Sequence, residues 1–175
     1  NCSVAIVEQI EAAREAGDSL GGWVGVVARG VPAGWGDPVF AKVKSLLGSA
    51  MLSIPAAVAM ELGDGVAATT RTGSQNNDQM TSDGSGGMRQ ETNRSGGLQG
   101  GITSGAPVWA RVGFKPTSTI ATAQETINTS GEAVVFEGKG RHDPCVVPRA
   151  VPIVEAMMAL VLADRMLASR ATPPT

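Results

Sequence analysis

Apolar and polar positions recur along this chain with periods that change from segment to segment, and the changes mark out its elements. Val4, Ile6, Val7, Ile10 and Ala13 fall at helical spacing between Glu8, Glu11, Arg14 and Glu15, which predicts an amphipathic helix closed by Gly17. Trp23 to Ala28 is rich in β-branched residues and reads as a strand. Turn-forming residues from Pro32 to Pro38 lead to a second helix, about Val39 to Leu52, with Asp37-Pro38 placed to start it. Ala56 to Leu62 and Val108 to Phe114 have strand character, and Asn128 to Glu137 is expected to pair antiparallel with the latter. The last helix spans about Val151 to Ser169. Met157, Met158, Leu160, Val161 and Leu162 nearly encircle it, which predicts burial on several sides. This mixture predicts the α+β class, with helices packed on antiparallel sheet.

Residues 64–105 are different in kind. They hold ten of the chain's 23 glycines and many Ser, Thr, Asn and Gln, with weak periodicity. So long a stretch without regular structure is uncommon inside a compact domain unless it is functional or mobile. Its ends are expected to be ordered and its tip, at 82–87, mobile.

Length and composition narrow the picture. At 175 residues and 42% hydrophobic content the chain can bury the core of one domain. Aromatics are only 3%, so that core is built from Val, Leu, Ile, Ala and Met. A formal charge of -2 excludes a globally basic nucleic-acid binder. Two cysteines make no disulfide framework, and one histidine excludes a multi-histidine zinc site within one chain. No apolar run approaches the ~20 residues of a membrane span.

Candidate chemistry concentrates in three places. The run from Lys139 to Pro152 packs Arg141, His142, Asp143 and three prolines just ahead of the final helix. A stiff loop carrying these groups at a helix N-terminus suits an anionic ligand, because free N–H groups and the helix dipole attract negative charge. The alternative is that the prolines shape a turn and the charges are solvated. Arg141 offers forked donation to phosphate or carbonyl oxygens. His142 and Cys145 are too few for a metal site, so a packed histidine and a buried thiol are expected. Asp143 can be an N-cap or an ion-pair partner of Arg149, and both roles can coexist. In Lys115-Pro116-Thr117-Ser118-Thr119 a cation, a stiff proline and three hydroxyls end a strand; such groups can bind phosphate or ring heteroatoms, or simply cap the strand. Asn93 to Gly101 carries two Gly-Gly pairs flanking Leu98-Gln99. Glycine allows close backbone approach to a ligand, but the spacing is not that of a dinucleotide-binding fingerprint, and a flexible turn is the plainer alternative.

Taken in order, Gly34-Trp35-Gly36-Asp37-Pro38-Val39-Phe40, Ser53-Ile54-Pro55-Ala56, Asn93 to Ile102, Gly113 to Ile120 and Gly140-Arg141-His142-Asp143-Pro144-Cys145 resemble the C-terminal half of the chorismate synthase family, from Gly17 to Leu167. The resemblance implies a helical core sandwiched between antiparallel sheets, of which residues 1–175 are the C-terminal part. It implies that Pro55, Ala56, Gly100, Lys115, Pro116, Thr117, Ser118, Thr119 and Arg141 contact FMN. Asp143 would lie near the reactive edge of the flavin and handle a proton at N5. Asn93-Arg94-Ser95 resembles plant-like members and does not disturb the glycines, and Ala59 stands where the family often has glycine, adding a methyl to the local packing.

The implied reaction is an anti-1,4-elimination turning 5-enolpyruvylshikimate-3-phosphate into chorismate and phosphate, a carbon-oxygen lyase step of the shikimate pathway and aromatic amino-acid biosynthesis. It needs reduced FMN, with NADPH as a candidate reductant, and involves no net redox change. Family members are homotetramers, and the family's setting implies a cytoplasmic or plastid location. Two catalytic histidines and several substrate-binding arginines of the family belong to an N-terminal portion. The chain is therefore expected to be a fragment or processed product that needs that portion as its partner, with no nucleic acid or membrane involved. The competing expectation is a non-catalytic flavin- or nucleotide-binding or assembly fragment.

Overall fold

A computed structural model describes residues 2–171 of the chain. The elements run α1 (Cys2–Glu15), β1 (Gly22–Ala28), α2 (Val43–Leu52), β2 (Ala57–Leu62), a 3-10 turn (Gly65–Thr70), α3 (Gly73–Asn76), β3 (Met80–Ser82), β4 (Met88–Gln90), β5 (Leu98–Gln99), β6 (Ile102–Thr103), β7 (Val108–Phe114), β8 (Gln124–Ile127), β9 (Ala133–Phe136) and α4 (Val147–Ala171). The architecture is α+β. An antiparallel sheet of order β1-β7-β2 is covered on one face by α2 and α4, which also pack on each other.

Side-chain alternation explains the layering. Register pairs Val24 with Val112 and Val26 with Ala110, and on the other side Met60 with Val112 and Leu62 with Ala110, so one apolar row faces the helices. Against it α2 buries Val43, Leu47 and Met51, and α4 buries Ala150, Val154, Met158 and Leu162. Each of the Val, Leu and Met side chains contributes roughly 1.5–3 kcal/mol by leaving water. The opposite sheet face carries Trp23, Trp109, Arg111 and Glu61. Arg111 pairs with Glu61 and stacks over the Trp23 ring.

Several expectations from the sequence are corrected here. The strand after Val108–Phe114 is not its neighbour, because β1 and β2 already occupy both edges of β7; Gln124–Ile127 and Ala133–Phe136 instead form their own hairpin. The second helix begins at Val43, since residues 37–41 are taken by a turn closed by an Asp37–Ala41 bridge. The last helix begins earlier than expected, at Val147. Pro148 is tolerated in its first turn, and Pro152 sits inside it. It is buried along one row only, with Leu160 at 64% and Leu167 at 61% exposure. Likewise α1 leaves Val4, Ile6 and Val7 largely exposed and buries Ala13. Residues 64–105 are not structureless: they form short turns and two small antiparallel hairpins, β3–β4 and β5–β6. Residues 83–87 link β3 to β4, and there Asp83 accepts from Ser85 N and Gly87 N. No helix among the described residues is long and apolar enough to cross a membrane.

Candidate functional site

Three segments far apart in sequence meet at one end of the sheet. β7 ends at Phe114 and β2 starts at Ala57, and their pairing brings Lys115 against Pro55-Ala56: Lys115 N donates to the Ala56 carbonyl at 3.0 Å. Ala56 adopts φ +66, a left-handed conformation that is unusual for a residue with a Cβ and that redirects the chain into the strand.

The link between α1 and β1 is the hub. Ser19 is buried, and its hydroxyl donates to the Thr117 carbonyl at 2.6 Å. Next to it, Leu20 N donates to the Pro144 carbonyl at 2.7 Å, holding the loop after Arg141. The Gly17 carbonyl accepts from Ala121 N and Thr122 N. Gly21 lies so close to the Phe114 carbonyl and Pro116 that a Cβ there would collide with both. Thus residues 17–21 clamp the Lys115–Thr119 and Arg141–Pro144 segments side by side.

The polar groups of this cluster differ in how they are satisfied. Lys115, Pro116, Ser118, Thr119 and Arg141 are exposed, and neither Lys115 nor Arg141 has an ion-pair partner among the described residues. Thr117 Oγ1 and His142 Nε2 are buried and have no hydrogen-bond partner among the described residues. Buried polar atoms are normally hydrogen-bonded, which sets these two apart from the rest of the cluster. Asp143 pairs with Arg149 on the first turn of α4. It is not the N-cap, because the helix starts four residues later. Cys145 is half-buried, not the buried thiol expected. No group of three or more His, Cys, Asp or Glu residues that could hold a metal ion occurs among the described residues.

Gly100 is not brought to this cluster. It sits at the exposed apex of the β5–β6 hairpin, and the neighbouring Gly101 carbonyl accepts from Val43 N at the start of α2. Pro55-Ala56 follow the other end of that helix, whose ten residues make it about 15 Å long. Nothing lies within 4 Å of a Cβ built on Gly100, so the apex is open on that side.

Sequence reasoning missed Ser19, Gly21 and Asp78. The Gly21-Gly22 pair was a legible sign of close backbone approach. Ser19 and Asp78 carried no local signal, because their importance lies in contacts 98 and 14–17 residues away. Asp78 Oδ1 accepts from Thr92 Oγ1 at 2.6 Å and Arg94 N at 2.8 Å, and Oδ2 from Ser95 N at 2.9 Å. Burial by itself would raise this carboxyl, but the bonds from Thr92, Ser95 and Arg94 outweigh it and hold the pKa at about 2.

A helix pair on an antiparallel sheet, with cationic and hydroxyl-bearing segments clamped at one end, defines an α+β unit. The family model described as "Chorismate synthase" matches residues 1–167. A protein named chorismate synthase from Synechococcus elongatus is 53% identical over 166 residues, covering 95% of this chain and 46% of that protein. Its namesake from Cytophaga hutchinsonii is 51% identical over 166 residues, with 95% and 46% covered. A solved structure described as chorismate synthase superposes with a TM-score of 0.76 at 32% identity, covering 94% of this chain and 42% of that one. The chain belongs to the chorismate synthase family. It spans about half the length of the curated relatives it matches.

Proposed function

We propose that this chain supplies the FMN-binding half of an enzyme that converts 5-enolpyruvylshikimate-3-phosphate to chorismate and phosphate. The observation that carries the reading is the convergence of Pro55-Ala56, Lys115–Thr119 and Arg141–Asp143 around the Gly17–Gly21 hub, with Thr117 Oγ1 and His142 Nε2 unpartnered beside free cations. These residues fit a flavin mononucleotide by donor chemistry. Lys115, Arg141 and the hydroxyls of Thr117, Ser118 and Thr119 supply donors for phosphate or ring heteroatoms. Reduced FMN, when bound, supplies transient electron density that lets phosphate leave without net redox change.

The chain's own residues bind, orient and move protons. Arg141 and Lys115 balance anionic charge. Asp143, paired with Arg149, would take up or hold a proton at the flavin edge. NADPH serves as the reductant that keeps the flavin reduced, and the working protein is a homotetramer completed by the family's N-terminal portion, in the cytoplasm or a plastid.

The test is anaerobic assay of the full-length polypeptide with substrate and reduced FMN, beside the isolated 175-residue chain. Chorismate and phosphate in equal amounts from the full-length protein alone support the reading. No product from either, with the full-length protein folded, would contradict it. A second reading, a flavin-binding or assembly fragment without catalysis, draws on the chain's spanning less than half of its relatives. Flavin binding without turnover by the full-length protein would favour it.

A further inference from the structure

We infer that Asp78 is a positioning residue for the cofactor site, acting through the glycine loop that residues 64–79 brace from behind. The inference rests on the proposed FMN-binding function and on the Gly100 contact that the family resemblance implies, made at the open hairpin apex across the length of α2 from the Lys115–Arg141 cluster. Both Asp78 oxygens are committed to the turn that opens the loop, through Thr92 Oγ1, Arg94 N and Ser95 N. The same turn is gripped from the other sides. Arg94 donates to the Gln75 carbonyl and accepts from Asp64 N through its own carbonyl, while Asp64 pairs with Arg71. Asn93 accepts from Gly97 N at 2.7 Å and donates to the Pro107 carbonyl at 2.7 Å. Gly96 packs so closely on Gly63 that a Cβ would fall 2.5 Å from Gly63 N.

Beyond this clamp the chain runs through buried Leu98 to the Gly100 apex and back to Gly101, fixed by Val43 N. At the apex a Cβ on Gly100 would meet nothing, while the Lys42 side chain packs against Gly101 beside it. Its position is therefore set by what holds its two ends. One end is tied to α2 and the core. The other depends on a carboxylate that accepts three donors, an arrangement that a neutral amide cannot reproduce, because one of its two ends would present N–H to a backbone N–H. The depressed pKa of Asp78 agrees with a carboxylate that stays ionised and fully used across the working pH range.

The experiment compares the full-length protein with its Asp78→Asn, Thr92→Val and Lys115→Ala variants. Each is titrated with FMN in the presence of substrate, following quenching and band shape of the flavin spectrum, with circular dichroism and thermal melting on the same samples. Asp78→Asn should raise the FMN dissociation constant ~10- to 100-fold, the size expected when a charged acceptor of backbone donors is lost. The residual bound flavin should show an altered band shape, which loss of global stability alone would not produce. Thr92→Val, which removes one of three donors and keeps the charge, should weaken binding by a smaller factor.

Folded Asp78→Asn that binds FMN with unchanged affinity and spectrum overturns the inference, and if Lys115→Ala is impaired at the same time the site itself stands. Should Asp78→Asn not fold, Thr92→Val decides: unchanged affinity and spectrum overturn the inference. Failure of the unsubstituted, folded protein to bind FMN overturns the site assignment and this inference with it.

Discussion

Arg141 and Asp143 stand two residues apart in one loop, yet the structure gives them different surroundings. Arg141 is exposed and unpaired among the described residues, while Asp143 is committed to Arg149. Their substitutions should therefore separate. Arg141→Ala removes a charge-assisted donor and should weaken FMN binding ~10- to 100-fold, read by flavin titration with substrate present. Asp143→Asn keeps the shape and loses the basicity. It should leave FMN affinity near normal while single-turnover rate falls by the ~10²–10⁴-fold typical of a lost acid–base group. Near-normal turnover would make Asp143 an ion-pair partner only. Asp78 gives a stability prediction with a definite sign. Its pKa is lowered from 3.8 to about 2 in the folded state, so its contribution is fully present above about pH 4 and is lost as pH falls toward 2. In acid denaturation followed by circular dichroism, the stability gap between the unsubstituted protein and Asp78→Asn should close over that window. A gap that persists unchanged below it would mean that the carboxylate bonds are not what stabilises the turn.

Among the elements, the strands and helices that build the core were legible because their side-chain period matches their burial. Val24 and Val26 on β1, and Val43, Leu47 and Met51 on α2, announce their inward faces by spacing alone. The partnership of β8 and β9 was not legible. Strand character says nothing about which edge is free, and both edges of β7 are filled by residues more than 45 positions upstream. Lys115–Thr119 and Arg141–Asp143 were visible as chemistry, but their meeting depends on Ser19 and Leu20 in a link that looked merely connective. Two substitutions test that link and its neighbour in opposite directions. Gly21→Ala forces a methyl against the Phe114 carbonyl and Pro116 and should cost about 1–3 kcal/mol of stability. Ala56→Gly relieves a Cβ from a left-handed backbone and should recover up to ~1 kcal/mol. Thermal melting reads both, and equal effects of the same sign would contradict the backbone argument.

Over the whole molecule, burial is one-sided. One sheet face and one row of each long helix are covered, while Trp23, Val27, Leu160 and Leu167 are each more than half exposed. The strongly apolar last helix predicted burial on several sides; this chain buries one row of it. That asymmetry supports the proposed homotetramer, in which the rest of the polypeptide and further copies cover these faces. Sedimentation of the full-length protein should show a tetramer, and a monomer across working concentrations would count against it. The central claim is narrower: FMN binds where Pro55-Ala56, Lys115–Thr119 and Arg141–Asp143 converge. Amide hydrogen exchange on the full-length protein, with and without FMN and substrate, tests it most directly. The account predicts that ligand slows exchange at Ala56, Lys115, Thr117 to Thr119 and Arg141 to Asp143. Slowing confined to other segments, with these amides unchanged at saturating FMN, would contradict it.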